Sequence, residues 1–279
     1  MANCPISVII LTFDSYSRKF GCIEHAVLSL LNQRDAPEEI VVVDNGEKKA
    51  DQQKLRTFID SLPTKDIALI KSRASIARAR NIGANYARHD TLVFMDEDTL
   101  LLDKLALLKL RKVAKSAVHG YGAKRDWTKP EWFPKHAAQL KVELSQGSND
   151  NLEDHVGPPN PMVRQKSTEK YLVRTFIGNF GFVSAEAFRK VKGFPEQFSG
   201  YGLEDDSLSF LLYHHFGRPN ILGDVHVAHV THSIRETQFE EYKKNLLRYQ
   251  TLLKEYGYAA FHIGDLLYPE HPRDRAVLE

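Results

Sequence analysis

The sequence predicts an α/β fold with a mostly parallel central sheet flanked by helices. Over the first hundred residues, short β-branched apolar runs alternate with helix-period stripes, the pattern of strands joined by crossover helices. The runs lack a polar face, as expected of strands covered on both sides. They also stop abruptly at polar or acidic residues, and ligands of such sheets sit at the carboxyl ends of the strands.

The elements follow in order. "ISVIILTF" (6–13) reads as the first strand, and "CIEHAVLSLLNQ" places Ile23, Ala26, Val27, Leu30 and Leu31 on one helical stripe. "EEIVVVDNG" (38–46) is the second strand, its Asn-Gly pair favouring a turn. A polar helix around Leu55, Phe58 and Ile59 ends at Pro63, and "DIALIKS" is a third, shorter strand. Ser75 can cap the helix "IARARNIGANYA", whose Gly83, Ala84 and Ala87 allow close packing on the sheet. "TLVFMDED" completes the series and brings Asp96–Asp98 to the edge that already holds Thr12, Asp14 and Asp44.

Regularity fails after about residue 116. The stretch 120–167 is rich in Pro, Gly, Asn, Asp and His, and is expected to be a mobile, substrate-facing insertion. Order returns with "YLVRTFIGNFGFVSAEAFRKVKGF", a strand and a short helix, and with the helix "EDDSLSFLLYHHFG". "NILGDVHVAHVTHS" sets Val225 and Val227 against His226, the alternation of a half-exposed strand. "TQFEEYKKNLLRYQTLLKEYG" is an amphipathic helix that Gly257 can cap. One domain over 1–279 is the simplest account: a half at 1–115, a second half at 116–235 and a C-terminal helical extension at 236–279.

A formal net charge of +2 gives no global field to attract nucleic acid, and allows at most peripheral association with a membrane. Only two cysteines, Cys4 and Cys22, and an apolar start too short to span a bilayer point to a cytoplasmic protein.

The buried run Leu92–Met95 ends in Asp96, Glu97 and Asp98, which is costly unless something binds the acids. Carboxylates on alternate residues of a strand end can share a Mg²⁺ or Mn²⁺ ion with substrate phosphates, or one can hold the ion while the other holds a ribose. A second acidic cluster, Glu204, Asp205 and Asp206, opens a helix after Gly200 and Gly202, which let backbone approach a ligand. Acids there oppose the helix dipole. Three in a row exceed that need, and one could accept a proton from an attacking hydroxyl. His226, His229 and His232 lie three apart, so a regular strand cannot aim them all at one ion, but one can complete a metal site. Arg78 and Arg80 bring cations towards the same edge, where a diphosphate could sit, while His25 reads as a helix-face residue.

In this order, "ISVIILTFD", "IVVVDNG", "ARARNIGANYA", "LVFMDEDT" and "KGFPEQFSGYGLEDDSL" resemble the motifs of the family 2 glycosyltransferases, whose fold is GT-A, a Rossmann-like sheet with an acceptor-side insertion. The resemblance implies inverting transfer of a sugar from a nucleoside diphosphate sugar, usually UDP-linked, to a carbohydrate or other hydroxyl acceptor. It implies that Thr12, Phe13, Asp14 and Asp44 hold the nucleotide base, with Arg80, Asn81, Asp96 and Glu97 along the donor. By it, Asp98 ligates Mn²⁺ or Mg²⁺ with Asp96 and His229, His232 being the reserve. Asp205 would be the catalytic base beside Glu204, with Gly202, Glu204 and Asp206 on the acceptor side. The first strand departs from the family's usual Pro-Thr-Tyr-Asn ending with Leu11-Thr12-Phe13-Asp14, and Pro195 replaces a frequent aspartate.

A sugar-nucleotide pyrophosphorylase would share the acid pair, but it calls for a Gly-rich basic loop after the first strand, which "TFDSYSRKFG" is not. A non-catalytic nucleotide-sugar-binding module would not need a second acidic cluster.

Overall fold

Alternate residues of the first strand, β1 (Ile6–Thr12), enter two different cores, which is why the run has no polar face. Ile6, Val8 and Ile10 face one core and Ile9 the other. The computed structural model describes residues 4–18, 21–126, 132–147, 178–230 and 236–257. After β1 come α1 (Ser15–Arg18), α2 (Cys22–Leu31), β2 (Glu39–Asp44), α3 (Lys49–Asp60), β3 (Ile67–Lys71), α4 (Ile76–Tyr86), β4 (Thr91–Asp96) and β5 (Thr99–Leu101). The chain continues through α5 (Ala106–Ala114), β6 (His119–Asp126), α6 (Trp132–Ser145), β7 (Phe180–Ser184), α7 (Ala185–Lys190), α8 (Glu204–Phe216), β8 (Asn220–His229) and α9 (Glu236–Glu255).

The eight strands form one mixed sheet in the order β3-β2-β1-β4-β7-β6-β8-β5. The four N-terminal strands are mutually parallel, as the alternation of periods predicts. β7 then runs antiparallel to both β4 and β6, and β5 antiparallel to β8. No helix among the described residues is long and apolar enough to cross a membrane.

Two expectations need correction. Residues 120–126 continue a strand and Trp132–Ser145 is a helix, so part of the expected irregular insertion is regular; 127–131 and 148–167 lie outside the described residues. The glycines that suggested a loop are there for close backbone approach. A Cβ on Gly120 would sit 2.1 Å from Asn220 O, and one on Gly122 2.9 Å from the Phe180 ring. His25 is not a helix-surface residue but is 2% exposed, its ring nitrogens bonded to Gly21 O at 3.2 Å and Ala137 O at 2.7 Å. That bond ties α2 to α6, and burial lowers the imidazole pKa.

The close approach of α4 to the sheet is as expected. Ser75 Oγ accepts from Arg78 N at the helix start. A Cβ on Gly83 would lie 2.6 Å from Ile9 Cγ2 and 2.8 Å from Val43 Cγ2. Gly83→Val should therefore cost about 1–3 kcal/mol by overpacking, read as a lowered melting temperature. An unchanged melting temperature would mean that α4 can move off the sheet freely.

Candidate active site

Strand register gathers the polar strand ends. Thr12 stands opposite Asp44 and Leu11 opposite Asp96, so the carboxyl ends of β1, β2 and β4 share one edge. Asp14 adopts a left-handed φ of 49°, which an aspartate tolerates better than most residues. Its Oδ1 accepts from Glu47 N at 2.9 Å and Lys48 N at 3.0 Å. Asp44 Oδ1 accepts from Gly46 N at 3.0 Å, and burial raises the Asp44 pKa. A Cβ on Gly46 would fall 2.7 Å from Asp14 Oδ1, so the Asn-Gly pair lets the two acids and this loop come together. Asn45 stitches the loop down by bonding Ala74 N and Ala74 O at 3.0 and 2.9 Å.

Glu97 turns back into the fold. Its carboxylate accepts from Thr12 Oγ1 at 2.5 Å and Phe13 N at 3.4 Å, and it is 3% exposed. It braces the end of β1 through these bonds. The Arg18 guanidinium lies 4.1 Å above the Phe13 ring, a cation–π contact at the same edge.

Arg80 is the hub of the site. Its Nη1 donates to Asp205 Oδ1 at 2.8 Å and Glu204 Oε1 at 3.0 Å, and its Nη2 to Asp96 Oδ1 at 2.8 Å. Its guanidinium carbon sits 5.3 Å from the Phe194 ring centroid. Burial works against its charge, but the carboxylates of Asp205, Asp96 and Glu204 outweigh it and raise its pKa. This corrects the expectation that Arg80 is presented to a diphosphate: at 5% exposure it is committed to three acids from two distant parts of the chain. Asn81 is similarly committed. Its amide donates to Phe194 O at 2.9 Å and Glu196 Oε1 at 3.2 Å, and accepts from Phe194 N at 2.9 Å. It fixes the turn at Gly193–Phe194, whose packing supports Arg80. Arg78 is exposed, 3.9 Å from Glu196.

Glu204 and Asp205 open α8, where their charge meets the positive end of the helix dipole. Asp205 Oδ2 accepts from Gly178 N at 3.1 Å, so both of its oxygens are held. Burial pushes the Asp205 carboxyl up to about 7 against the pull of Arg80, with Glu204 and Asp96 adding to the rise. Its side chain keeps 27% of its surface open, so water tempers the shift without reversing it. Burial likewise raises Glu204, whose Oε2 is buried with no hydrogen-bond partner among the described residues. Asp206 is half-buried at the next helical position, and Gly202, with φ 89°, lies two residues before Glu204.

The metal candidates divide. Both oxygens of Asp96 are occupied, one by Arg80 and the other by Asn179 Nδ2 at 2.9 Å. Asp98 stands apart from this cluster. Antiparallel pairing sets Thr99 opposite His229, and Asp98 O accepts from Val230 N at 2.8 Å. As a result His229 Nε2 lies 3.7 Å from Asp98 Oδ1, too far for a hydrogen bond. A carboxylate oxygen beside an imidazole nitrogen is a donor pair that fits a divalent ion such as Mn²⁺. Among the described residues no group of three or more metal-ligating side chains comes together. His226 sits on the strand with Nε2 3.1 Å from Gly223 O, and His232 lies outside the described residues.

Sequence reasoning missed Asn179 and Gly178. A Cβ on Gly178 would lie 2.5 Å from Asp205 Oδ2 and 2.9 Å from Arg80 Nη2, so the glycine in "IGNFGF" is demanded by the acid cluster. Nothing local in that stretch signals it.

The glycosyl transferase family 2 model matches residues 7–192. Validoxylamine A glucosyltransferase of Streptomyces hygroscopicus subsp. limoneus is 25% identical over 229 residues, 77% of this chain and 49% of that protein, so the chain spans about half the length of this relative. Among solved structures, the mannosyltransferase PcManGT from Pyrobaculum calidifontis, in complex with GDP-Man and Mn²⁺, superposes with a TM-score of 0.62 at 17% identity, covering 99% of this chain and 69% of that one. TarS 1–349 of S. aureus in complex with UDP-GlcNAc gives 0.58 at 16% identity, covering 98% of this chain and 79% of that one. The fold is therefore of the GT-A type. With two thirds of its length matched by one family model, the chain belongs to glycosyl transferase family 2.

Proposed function

We propose that this chain transfers a sugar from a nucleoside diphosphate sugar, UDP-linked in our reading, to an acceptor hydroxyl with inversion at the anomeric carbon. The carrying observation is Asp205, a carboxylate held 2.8 Å from Arg80 in the same cluster as the strand-end Asp96. The family match supports it, as do structural neighbours solved with UDP-GlcNAc and with GDP-Man and Mn²⁺. We read 1–279 as one catalytic domain, with 1–115 as its donor half and 116–235 as its acceptor half. The use of only two cysteines, Cys4 and Cys22, fits a reducing, cytoplasmic setting.

The nucleotide lies at the ends of β1 and β2, with Asp14 and Asp44 at its base and Asp96 near its ribose. Asp98 and His229 would hold Mn²⁺ or Mg²⁺, which supplies Lewis acidity to a departing diphosphate. Asp205 takes the proton of the acceptor hydroxyl as that oxygen attacks the anomeric carbon from the face opposite the leaving group. One bond forms as the other breaks, so a single displacement inverts, as in inverting glycosidases. Arg80 keeps the base aligned.

Two predictions follow from the chemistry. A base must be unprotonated, so kcat/KM should fall as pH drops through about 7, the region to which burial lifts Asp205. A flat profile from pH 6 to about 8 would argue against Asp205 as base. Asp98→Ala should remove the Mn²⁺-dependent part of UDP binding by calorimetry, read on a sample whose melting curve shows it folded, because Asp98 is buried in the turn between β4 and β5. Unchanged metal-dependent affinity would exclude Asp98 from the metal site.

A further inference from the structure

The residues matched by the family model end at 192, yet the acids of α8 begin at 204 and are preceded by a backbone that needs outside support. Gly200, Gly202 and Leu203 all have positive φ, of 76°, 89° and 68°. For a leucine this is a sparsely populated conformation, and such residues persist only where the surroundings over-determine them. Leu203 is the residue from which α8 departs, so its conformation sets the direction in which Glu204 and Asp205 leave the turn.

The support comes from one face of α9. Asn245 is fully buried, and its Nδ2 points at three carbonyls of the turn: Ser199 O at 3.1 Å, Tyr201 O at 3.2 Å and Gly202 O at 2.8 Å. Its own Oδ1 accepts from Arg248 Nη1 at 2.7 Å, which fixes the amide orientation, and Arg248 also donates to Ser199 Oγ at 3.0 Å. One turn earlier on the helix, Glu241 Oε2 accepts from Tyr201 N at 2.9 Å. The fit leaves no room for side chains on the turn. A Cβ on Gly200 would lie 2.5 Å from Glu241 Cδ, and one on Gly202 2.7 Å from Tyr242 Cδ2.

We propose that Asn245, with Glu241, is a positioning residue for the reaction: α9 clamps the Ser199–Leu203 turn and so aims Asp205. The C-terminal helix is then part of the catalytic apparatus although it supplies no group that touches substrate. This inference rests on the reading of Asp205 as base. A buried amide that satisfies backbone carbonyls 43 to 46 residues away in sequence does more than add packing, since its loss orphans those carbonyls and frees a strained turn.

The test uses Asn245→Ala and Glu241→Ala in the full chain. Turnover is read as UDP release from UDP-sugars with Mn²⁺ and a panel of sugar acceptors, alongside UDP affinity by calorimetry and amide hydrogen exchange at 199–206. The clamp predicts kcat lowered by up to about 10²-fold, as expected for a misplaced catalytic group. Donor KM and UDP affinity should stay unchanged, with faster exchange confined to the turn. If Asn245→Ala does not fold, the milder Glu241→Ala must show the same split. Wild-type kcat in a folded variant, or kcat and UDP affinity falling together, overturns the clamp. Activity kept by Asp205→Asn in parallel would instead overturn the base assignment, so the two failures are distinct.

Discussion

Asp205→Asn is expected to lose about 10²–10⁴-fold of its transfer rate while binding UDP and Mn²⁺ as the wild type does. Asparagine can still offer Oδ1 to Arg80, so the hub is kept. It cannot take a proton. Its amide nitrogen would face Gly178 N, replacing an acceptor by a donor, and the lost bond should cost about 1 kcal/mol of stability. Because the missing interaction exists only in the transition state, kcat falls and nucleotide affinity does not. If the acids merely favoured the start of α8, the variant would lose about 0.3–1 kcal/mol of stability and keep its activity. The transfer rate, measured on a sample whose melting temperature shows it folded, decides between these outcomes.

The second large effect belongs to Arg80. Replacing it by methionine keeps much of the packing but leaves Asp96, Glu204 and Asp205 facing one another without a cation. Breaking a buried ion pair from one side typically costs about 3–5 kcal/mol, so Arg80→Met should be strongly destabilised in urea unfolding at pH 8. The sign of its pH dependence is fixed. Without the guanidinium the carboxyls bind protons more tightly in the folded state, so acid should favour the folded variant and shrink the gap to wild type. A gap that is small at pH 8, or that widens on acidification, would show that the acids do not depend on Arg80.

Much of this was legible in the residues because it is local. Apolar runs and helical stripes gave the N-terminal strands and helices, and the rule that ligands gather at strand carboxyl ends selected Thr12, Asp44 and Asp96 before any coordinates. The cluster itself was not legible. Arg80 and Glu204 are 124 residues apart, and no periodicity records that their side chains meet at 3.0 Å. The same holds for Asn179 on Asp96 and for Asn245 under the Ser199–Leu203 turn. Glycine misled where its purpose was tertiary: Gly120 and Gly122 read as a loop but serve close strand packing. Arg80 misled in a different way, since a cation near a ligand edge suggests a phosphate, yet here buried acids claim it.

Sugar transfer from a nucleoside diphosphate sugar with Asp205 as base ties donor turnover to both the metal and this carboxylate. The most direct measurement is nucleoside diphosphate release from UDP-glucose, UDP-GlcNAc and GDP-mannose, with water or a panel of sugars as the acceptor hydroxyl and with Mn²⁺ or chelator, in the wild type and Asp205→Asn. The wild type should release nucleoside diphosphate from at least one donor, and the release should be lost on chelation and in the variant. Release that persists in Asp205→Asn, or a wild type that neither binds nor turns over any of these donors with Mn²⁺, would contradict it.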